Sequence, residues 1–328
     1  MRLGIDDINE EKSYGGRTLL RWTPRGNVTV DLAAFLNRTR TDTASWILEA
    51  GEYQSNAAAR QPLRDDLDLY SVTANWDLQG MTATGIVSFL KRDFSNVVDV
   101  SGFATLIRNP VFCARIINGG AACGPDQLAS FFALVDSQST TALFPQQDMD
   151  TTTAELRLSS ADGRALHWTA GLFFSDRETD VANPQVIVDP ITGNIIQPLQ
   201  VATVRFINDE LKQSAGFGEL SWDATSRLNL TAGTRYYRYT KDIVGQTPIG
   251  SILVGAVVTP PTSVSSDENG WVSKLNASYK ISDGVMVYAQ AAEGFRPGGA
   301  NQVVGLPQPL TPYQSDDLIN YEIGLKSA

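Results

Sequence analysis

The chain has little cysteine, almost no histidine and no long apolar run. Two cysteines and one histidine among 328 residues are too few ligands for a structural zinc site. No window reaches the roughly eighteen consecutive apolar residues of a transmembrane helix. That excludes a helical span but not a membrane barrel, whose strands hide their apolar face by alternation. Positive charge is in deficit, with 26 Lys and Arg against 36 Asp and Glu and a net charge of −10. Nucleic acid is therefore not an expected partner. Solubility accounts for the acidic excess, and no spacing marks a divalent-cation site. Catalytic signatures are missing as well. There is no Gly-x-Ser-x-Gly elbow. His167 is the sole histidine and no serine is marked as its partner. Glu293–Asn301 is rich in glycine but lacks the Lys-Ser/Thr that completes a phosphate loop. No catalytic residue, metal or cofactor is predicted, and the chain is not expected to be an enzyme.

What is present is a rhythm of short turns and long loops between strand-like segments. The short turns are Thr23–Asn27, Asp77–Gly80, Ser160–Arg164, Asp223–Ser226 and Ser282–Gly284. Between them fall long loops at roughly Thr39–Asp66, Phe94–Asp150, Arg177–Leu211, Lys241–Asn269 and Gly294–Asp317. Soluble sandwiches have no reason to gather their short connections at one end. Outer-membrane barrels do, with tight periplasmic turns and long extracellular loops.

The segments alternate with period two. Tyr70, Val72, Ala74 and Trp76 share one face and Ser71, Thr73 and Asn75 the other. After the turn, Ala83, Gly85, Val87 and Phe89 oppose Thr82, Thr84 and Ser88. Leu228, Leu230, Ala232 and Tyr236 oppose Asn229, Thr231, Gly233 and Arg235, and Leu275, Ala277 and Tyr279 oppose Lys274, Asn276 and Ser278. Alternation over about ten residues suits a tilted strand crossing a bilayer. Ala74, Val87, Leu230 and Ala277 are expected to face lipid, and Thr73, Ser88, Thr231 and Asn276 a polar lumen. A soluble sheet with one wet face would alternate in the same way. Aromatic placement separates the two. Trp22, Trp76 and Trp222 each precede a short turn, Tyr279 lies three residues before one, and all four fall on the apolar face. That is an aromatic girdle at a membrane interface. Tyr236, Tyr237 and Tyr239 precede a long loop and are assigned to the opposite girdle.

Cys113 and Cys123 sit ten positions apart in the longest loop. An even count in an extracellular loop predicts a disulfide, with two free thiols as the alternative. In the same loop, Leu128, Phe131, Phe132 and Val135 have helical spacing, which predicts a short helix over Pro125–Val135.

The block YAQAAEGFRPGGAN (Tyr288–Asn301), followed by NYEIGLKS (Asn320–Ser327), resembles the barrel of TonB-dependent outer-membrane receptors. Gly294, Phe295, Arg296, Pro297, Gly298, Gly299, Asn301, Tyr321, Glu322 and Gly324 carry that resemblance. AELRLSS (Ala154–Ser160), WTAGLFFSDRE (Trp168–Glu178) and the hairpin Phe217–Asp242 are similar to the family's mid-barrel hairpins, in the same order. The resemblance implies an all-β fold, an antiparallel transmembrane barrel in the bacterial outer membrane. It also implies import of a small-molecule nutrient such as a ferric siderophore, cobalamin or carbohydrate. Its implied partners are outer-membrane lipid and, in the intact receptor, TonB. The chain shows no plug domain, no TonB box and no final strands ending in an aromatic residue. Met1–Ser13 is not a signal peptide, having neither a basic start nor an apolar run. The expectation is therefore a fragment: residues 1–328 as one partial barrel domain, about eleven strands of a 22-stranded barrel, with plug and C-terminal strands outside it. Three rivals share the strand pattern: a passive porin, an outer-membrane enzyme and a soluble β-sandwich adhesin. No substrate ligand carries over by resemblance, because ligands vary with substrate.

Overall fold

The computed structural model describes residues 10–42, 57–161, 163–301, 306 and 308–327. Residues 1–9 of the Met1–Ser13 segment and residues 43–56 of the first predicted long loop lie outside it. Eleven strands form one continuous antiparallel sheet among the described residues. They are β1 (Glu11–Arg25), β2 (Val28–Thr41), β3 (Leu63–Asp77), β4 (Met81–Asn96), β7 (Gln146–Ser160), β8 (Leu166–Ile187), β9 (Val201–Asp223), β10 (Leu228–Ile249), β11 (Thr259–Ser282), β12 (Val285–Arg296) and β15 (Asp316–Ser327). Short strands β5 (Val98–Asp99), β6 (Thr141–Leu143), β13 (Gly299–Ala300) and β14 (Pro312–Tyr313) lie in the connections. Each long strand pairs with its sequence neighbour, and β1 and β15 are free edges, so the sheet is open.

The short turns link β1–β2, β3–β4, β7–β8, β9–β10 and β11–β12, all at one end. The Leu78–Gly80 turn shows how such a turn is made. Gln79 takes φ 57° and Gly80 φ 130°, and the Asp77 carboxylate accepts the Gln79 N–H at 3.0 Å. A left-handed pair suits the twist of a tight hairpin.

Exposure runs opposite to that of a water-soluble sheet. On β8, Leu172 is 64% and Phe174 44% exposed, while Gly171, Phe173 and Ser175 between them are half-buried. The outer face of the other strands is likewise apolar and open: Val72, Val87, Leu156, Leu220, Leu230 and Leu275. The inner face closes on itself through polar pairs. Ser88 hydrogen-bonds Thr153, and Thr231 Oγ1 donates to Ser221 Oγ at 3.0 Å. An apolar exterior over a polar interior fits hydrocarbon outside and water inside, and it does not fit a sandwich core. Trp22, Trp76, Trp222 and Tyr279 sit on the outer face at the short-turn end, between 43% and 61% exposed.

A second aromatic row lies higher on the outer face, at Tyr14, Tyr70, Phe89, Phe174, Tyr236 and Trp271. Tyr236 and Trp271 touch, with ring centroids 5.0 Å apart. Tyr14 to Trp22 and Trp271 to Tyr279 each span eight residues, about 20 Å of depth for strands tilted roughly 40°. Tyr237 and Tyr239 do not belong to this row. Both are buried on the inner face, because girdle membership follows parity and only Tyr236 has the outward one.

The predicted loops Arg177–Leu211 and Lys241–Asn269 are largely strand. β8 and β9 pair as far as Val186↔Val201, and β10 and β11 as far as Thr247↔Thr259. Above the membrane both faces meet water, so apolar alternation disappears while the hydrogen-bond ladder continues. The longest connection folds into α1 (Ser101–Ile107), α2 (Pro110–Ile117) and α3 (Pro125–Ser137). Asn109 caps α2, its Oδ1 accepting the N–H of Val111 at 3.0 Å and of Phe112 at 3.1 Å. Ile107, Cys113, Phe131 and Val135 form a small core that takes in Leu253 from the β10–β11 connection. Ala59, Val97, Ala142 and Val188 form a second core from three connections. The loop end is thus a packed cap.

Candidate functional site

The glycine-rich segment after β12 turns against the inner wall near the cap. The Phe295 ring stacks on Tyr237 at 3.5 Å between centroids and 6° between planes, with Tyr239 stacked beyond at 5.9 Å. Tyr237 has room because Gly270 is its direct cross-strand partner; a Cβ there would lie 2.7 Å from the Tyr237 hydroxyl. Gly298 donates its N–H to the Tyr239 hydroxyl at 3.0 Å. A Cβ on Gly298 would meet the Tyr313 carbonyl at 2.8 Å, and one on Gly299 the Tyr313 hydroxyl at 2.8 Å. The run Pro297-Gly298-Gly299 therefore serves close packing.

Glu268 ties the turn to the start of β15. Its carboxylate accepts from Ser266 at 3.1 Å and from the Ser315 hydroxyl. The Ser315 bond, then Tyr239 and Ser266, hold this carboxyl below the ordinary glutamate range against an opposing burial effect. Burial pushes the Tyr239 hydroxyl above the ordinary phenol range.

Cations flank the aromatic wall. Lys241, with its side chain 11% exposed, reaches Asp209 at 3.2 Å, and Arg177 joins the same carboxylate at 3.3 Å. Farther round the inner wall, on β4, Arg92 is bidentate to Asp65 at 2.8 and 2.7 Å. Arg235 lies over the Phe173 ring at 4.7 Å. Such a wall can hold a planar or anionic solute by stacking and by charge. It presents no assembled nucleophile. His167 faces inward, 3.6 Å from Asp223. Ser221, its cross-strand neighbour, donates instead to Asn229 at 3.2 Å. No metal-holding group of His, Cys, Asp or Glu occurs among the described residues.

The family model described as "TonB dependent receptor-like, beta-barrel" matches residues 5–327. The chain belongs to this family. As a TonB-dependent receptor barrel it lies in the bacterial outer membrane, and the outer apolar belt suits a bilayer. Among curated relatives, the pesticin receptor of Yersinia pestis is 25% identical over 118 residues, covering 34% of this chain and 16% of that protein. The ferric yersiniabactin uptake receptor FyuA of Yersinia pestis superposes with a TM-score of 0.69 at 16% identity, covering 97% of this chain and 43% of that one. The siderophore receptor PiuA of Acinetobacter baumannii gives 0.63 at 12% identity, with 99% and 48% covered. At these identities the structural likeness is one of fold. The chain spans less than half the length of those solved receptors. The matched proteins are receptors and transporters rather than enzymes.

Within the receptor barrel the motif residues divide by role. Phe295, Gly298 and Gly299 build the inner-wall turn. Arg296 pairs with Asp316 across β12–β15, and the Asn301 N–H donates to the Thr311 carbonyl at 2.6 Å. The Tyr288 hydroxyl donates to Glu322, its ring lying across Gly324. Tyr321 is on the outer face, 76% exposed. Cys113 and Cys123 are joined, S–S 2.06 Å, linking α2 to the segment before α3. Sequence reasoning missed Glu268, Lys241 and Asp209. Their signal was a parity count carried past Tyr236 into the stretch assigned to a loop.

Proposed function

We propose that the chain is part of a TonB-dependent receptor that imports a scarce nutrient as a small-molecule complex, a ferric siderophore first among the candidates. The observation that carries this is the Tyr237–Tyr239–Phe295 stack on the inner wall beneath the cap, flanked by Lys241 and Arg177. Aromatic faces and guanidinium groups suit a bulky, planar or anionic chelate. Transport would be driven through TonB, contacted by parts of the receptor outside residues 1–328. A passive porin would share the strands but need neither a stacked aromatic wall nor energy. The test is uptake of iron-labelled siderophores by cells carrying the receptor as their sole importer. Uptake of one chelate is expected to stop when TonB or the proton-motive force is removed. Tyr237→Ala is expected to raise the half-saturating concentration. Uptake that continues without TonB would overturn the reading in favour of a porin.

A further inference from the structure

Strands β8–β11 rise above their neighbours, and the two flanks of this tall block are finished differently. On one flank β7 pairs with β8 up to Gln146↔Ala182, and β6 then covers β8 as far as Thr141↔Ile187. On the other flank β12 stops pairing with β11 at Lys274↔Ala292, although β11 runs on beside β10 to Thr259. From Glu293 onward β12 stays with β15 and leans over the inner face of β11, through Phe295 on Tyr237 and then Gly298 on Tyr239. An open edge of β11 is left behind it.

Two contacts fix which main-chain groups lie on that edge. Lys280 donates its N–H to the Arg227 carbonyl at 2.8 Å, on the β10 side. Ser273 donates its N–H to the Glu293 carboxylate at 2.8 Å, on the β12 side. Donors alternate between the two sides of a strand, so Ser263, Ser265, Asp267, Asn269 and Trp271 turn N–H and C=O toward the open side. Among the described residues nothing bonds them there. The register with β10 is unbroken from Thr262 to Tyr279, and Pro260 and Pro261 come only at the top. Neither bulge nor proline therefore blunts the edge. Ser263–Trp271 offers a straight pairing edge of roughly 30 Å.

Charge narrows the partner. Three exposed carboxylates border the edge: Asp242, the cross-strand partner of Ser265, Glu293 at its foot, and Asp317 opposite Phe295. None of the three pairs with a cation among the described residues, whereas Arg238, Lys241 and Arg296 are each held by an aspartate. We propose that this edge docks an extended, basic polypeptide segment of another exported protein. The segment adds to the sheet as a strand antiparallel to β11, in the place where β12 would have continued. Strand addition takes its strength from main-chain bonds and its selectivity from alternate side chains. Opposite Ser265, Asp267 and Asn269 the incoming strand exchanges both main-chain bonds and points its side chains outward, so its basic residues belong at those positions. A second copy of the receptor does not fit. Two barrels in one membrane, related by rotation about the bilayer normal, would bring β11 to β11 in parallel.

The test uses the full receptor in detergent and, as probe, a fluorescent peptide of about nine residues, the length of the edge, that alternates lysine and threonine. Anisotropy is expected to show saturable binding. Methylating the main-chain nitrogens of the lysines, which face β11, is expected to abolish it. Methylating those of the threonines, which face away, is expected to leave it intact. Amide exchange is expected to slow at Ser265, Asp267 and Asn269 and to stay unchanged at Glu268 and Gly270. Asn269→Pro deletes one open donor at an edge position that tolerates proline and is expected to weaken binding roughly tenfold, while Asn269→Ala is expected to match wild type. Asp242→Asn is expected to weaken binding roughly threefold. The methylated peptides decide the matter on wild-type receptor even if Asn269→Pro does not fold. A proline–lysine peptide of equal charge that binds as tightly would reduce the edge to a patch of charge and overturn the proposal. Equal effects of the two methylation patterns, or binding without protection on β11, would overturn it too.

Discussion

Three inner-face aromatics lie directly opposite a glycine on the next strand: Phe217 over Gly171, Tyr237 over Gly270 and Tyr288 over Gly324. Each glycine gives up side-chain contact so that a ring can lie flat against the wall. Gly270→Ala places a methyl group 2.7 Å from the Tyr237 hydroxyl and is expected to destabilise the folded barrel by roughly 1–3 kcal/mol, as overpacking does. Adding Tyr237→Phe removes that contact and is expected to restore part of the loss. Heat-induced unfolding in detergent measures both. Glu268 yields a pH dependence. Its carboxyl is lowered, first by the Ser315 hydroxyl and then by Tyr239 and Ser266. The stability it lends the turn is complete above the ordinary glutamate value of about 4.3 and is lost as pH falls through the lowered value. Protection of the Gly298 amide, taken relative to its intrinsic exchange rate at each pH, is expected to fall over that acid range in wild type and to be flat in Glu268→Gln.

At the scale of strands, the chemistry of the two faces fixes orientation within the bilayer belt. Ala232 is outward and close to midway between the two aromatic rows, while its neighbour Thr231 is inward and hydrogen-bonded to Ser221. Ala232→Arg is expected to cost roughly 2–4 kcal/mol of stability in lipid, and Thr231→Arg much less. Equal costs would mean that the facing is wrong. The same belt is where the strands were legible in sequence, because apolar and polar residues alternate there between lipid and water. Beyond Phe174 and Tyr236 both faces are wet, and the alternation that marks a strand vanishes although the ladder runs on. The short strands and helices of the cap were legible only at α3, where four apolar residues share a helical face. α1 and α2 are too short to show a period. At the candidate site, the glycine-rich run was visible but its fold was not. Counting from Val287 and Ala289 sends Phe295 outward, yet it stacks on inner-face Tyr237. β12 stops pairing with β11 after Ala292 while it stays paired with β15 through Arg296, and the ring turns inward on the side that β11 has left.

At the scale of the molecule, cap and sheet are held by different means. The sheet rests on long ladders. The helical cap rests on a small core and on the Cys113–Cys123 bond. Closing so short a ring contributes roughly 2–3 kcal/mol, a large share of what the three helices can supply. Unreduced protein is expected to resist alkylation and to gain the mass of two hydrogens on reduction. Proteolysis between α1 and α3 is then expected to accelerate while the strands stay protected. Two thiols that alkylate without reductant would refute the linkage.

The count of strands has a consequence for assembly. Successive strands are antiparallel and eleven is odd, so β1 and β15 point the same way through the membrane. Two copies related by rotation about the barrel axis would meet β15 to β1, a parallel seam in an otherwise antiparallel wall. Two copies related by a perpendicular axis would meet edge to like edge with antiparallel seams, but one copy would then hang its cap on the periplasmic side. The first closure keeps every tight turn on one side but needs parallel seams; the second keeps the seams antiparallel but inverts one copy. A wall that is antiparallel throughout and keeps every tight turn on one side therefore requires an odd number of strands between β15 and β1.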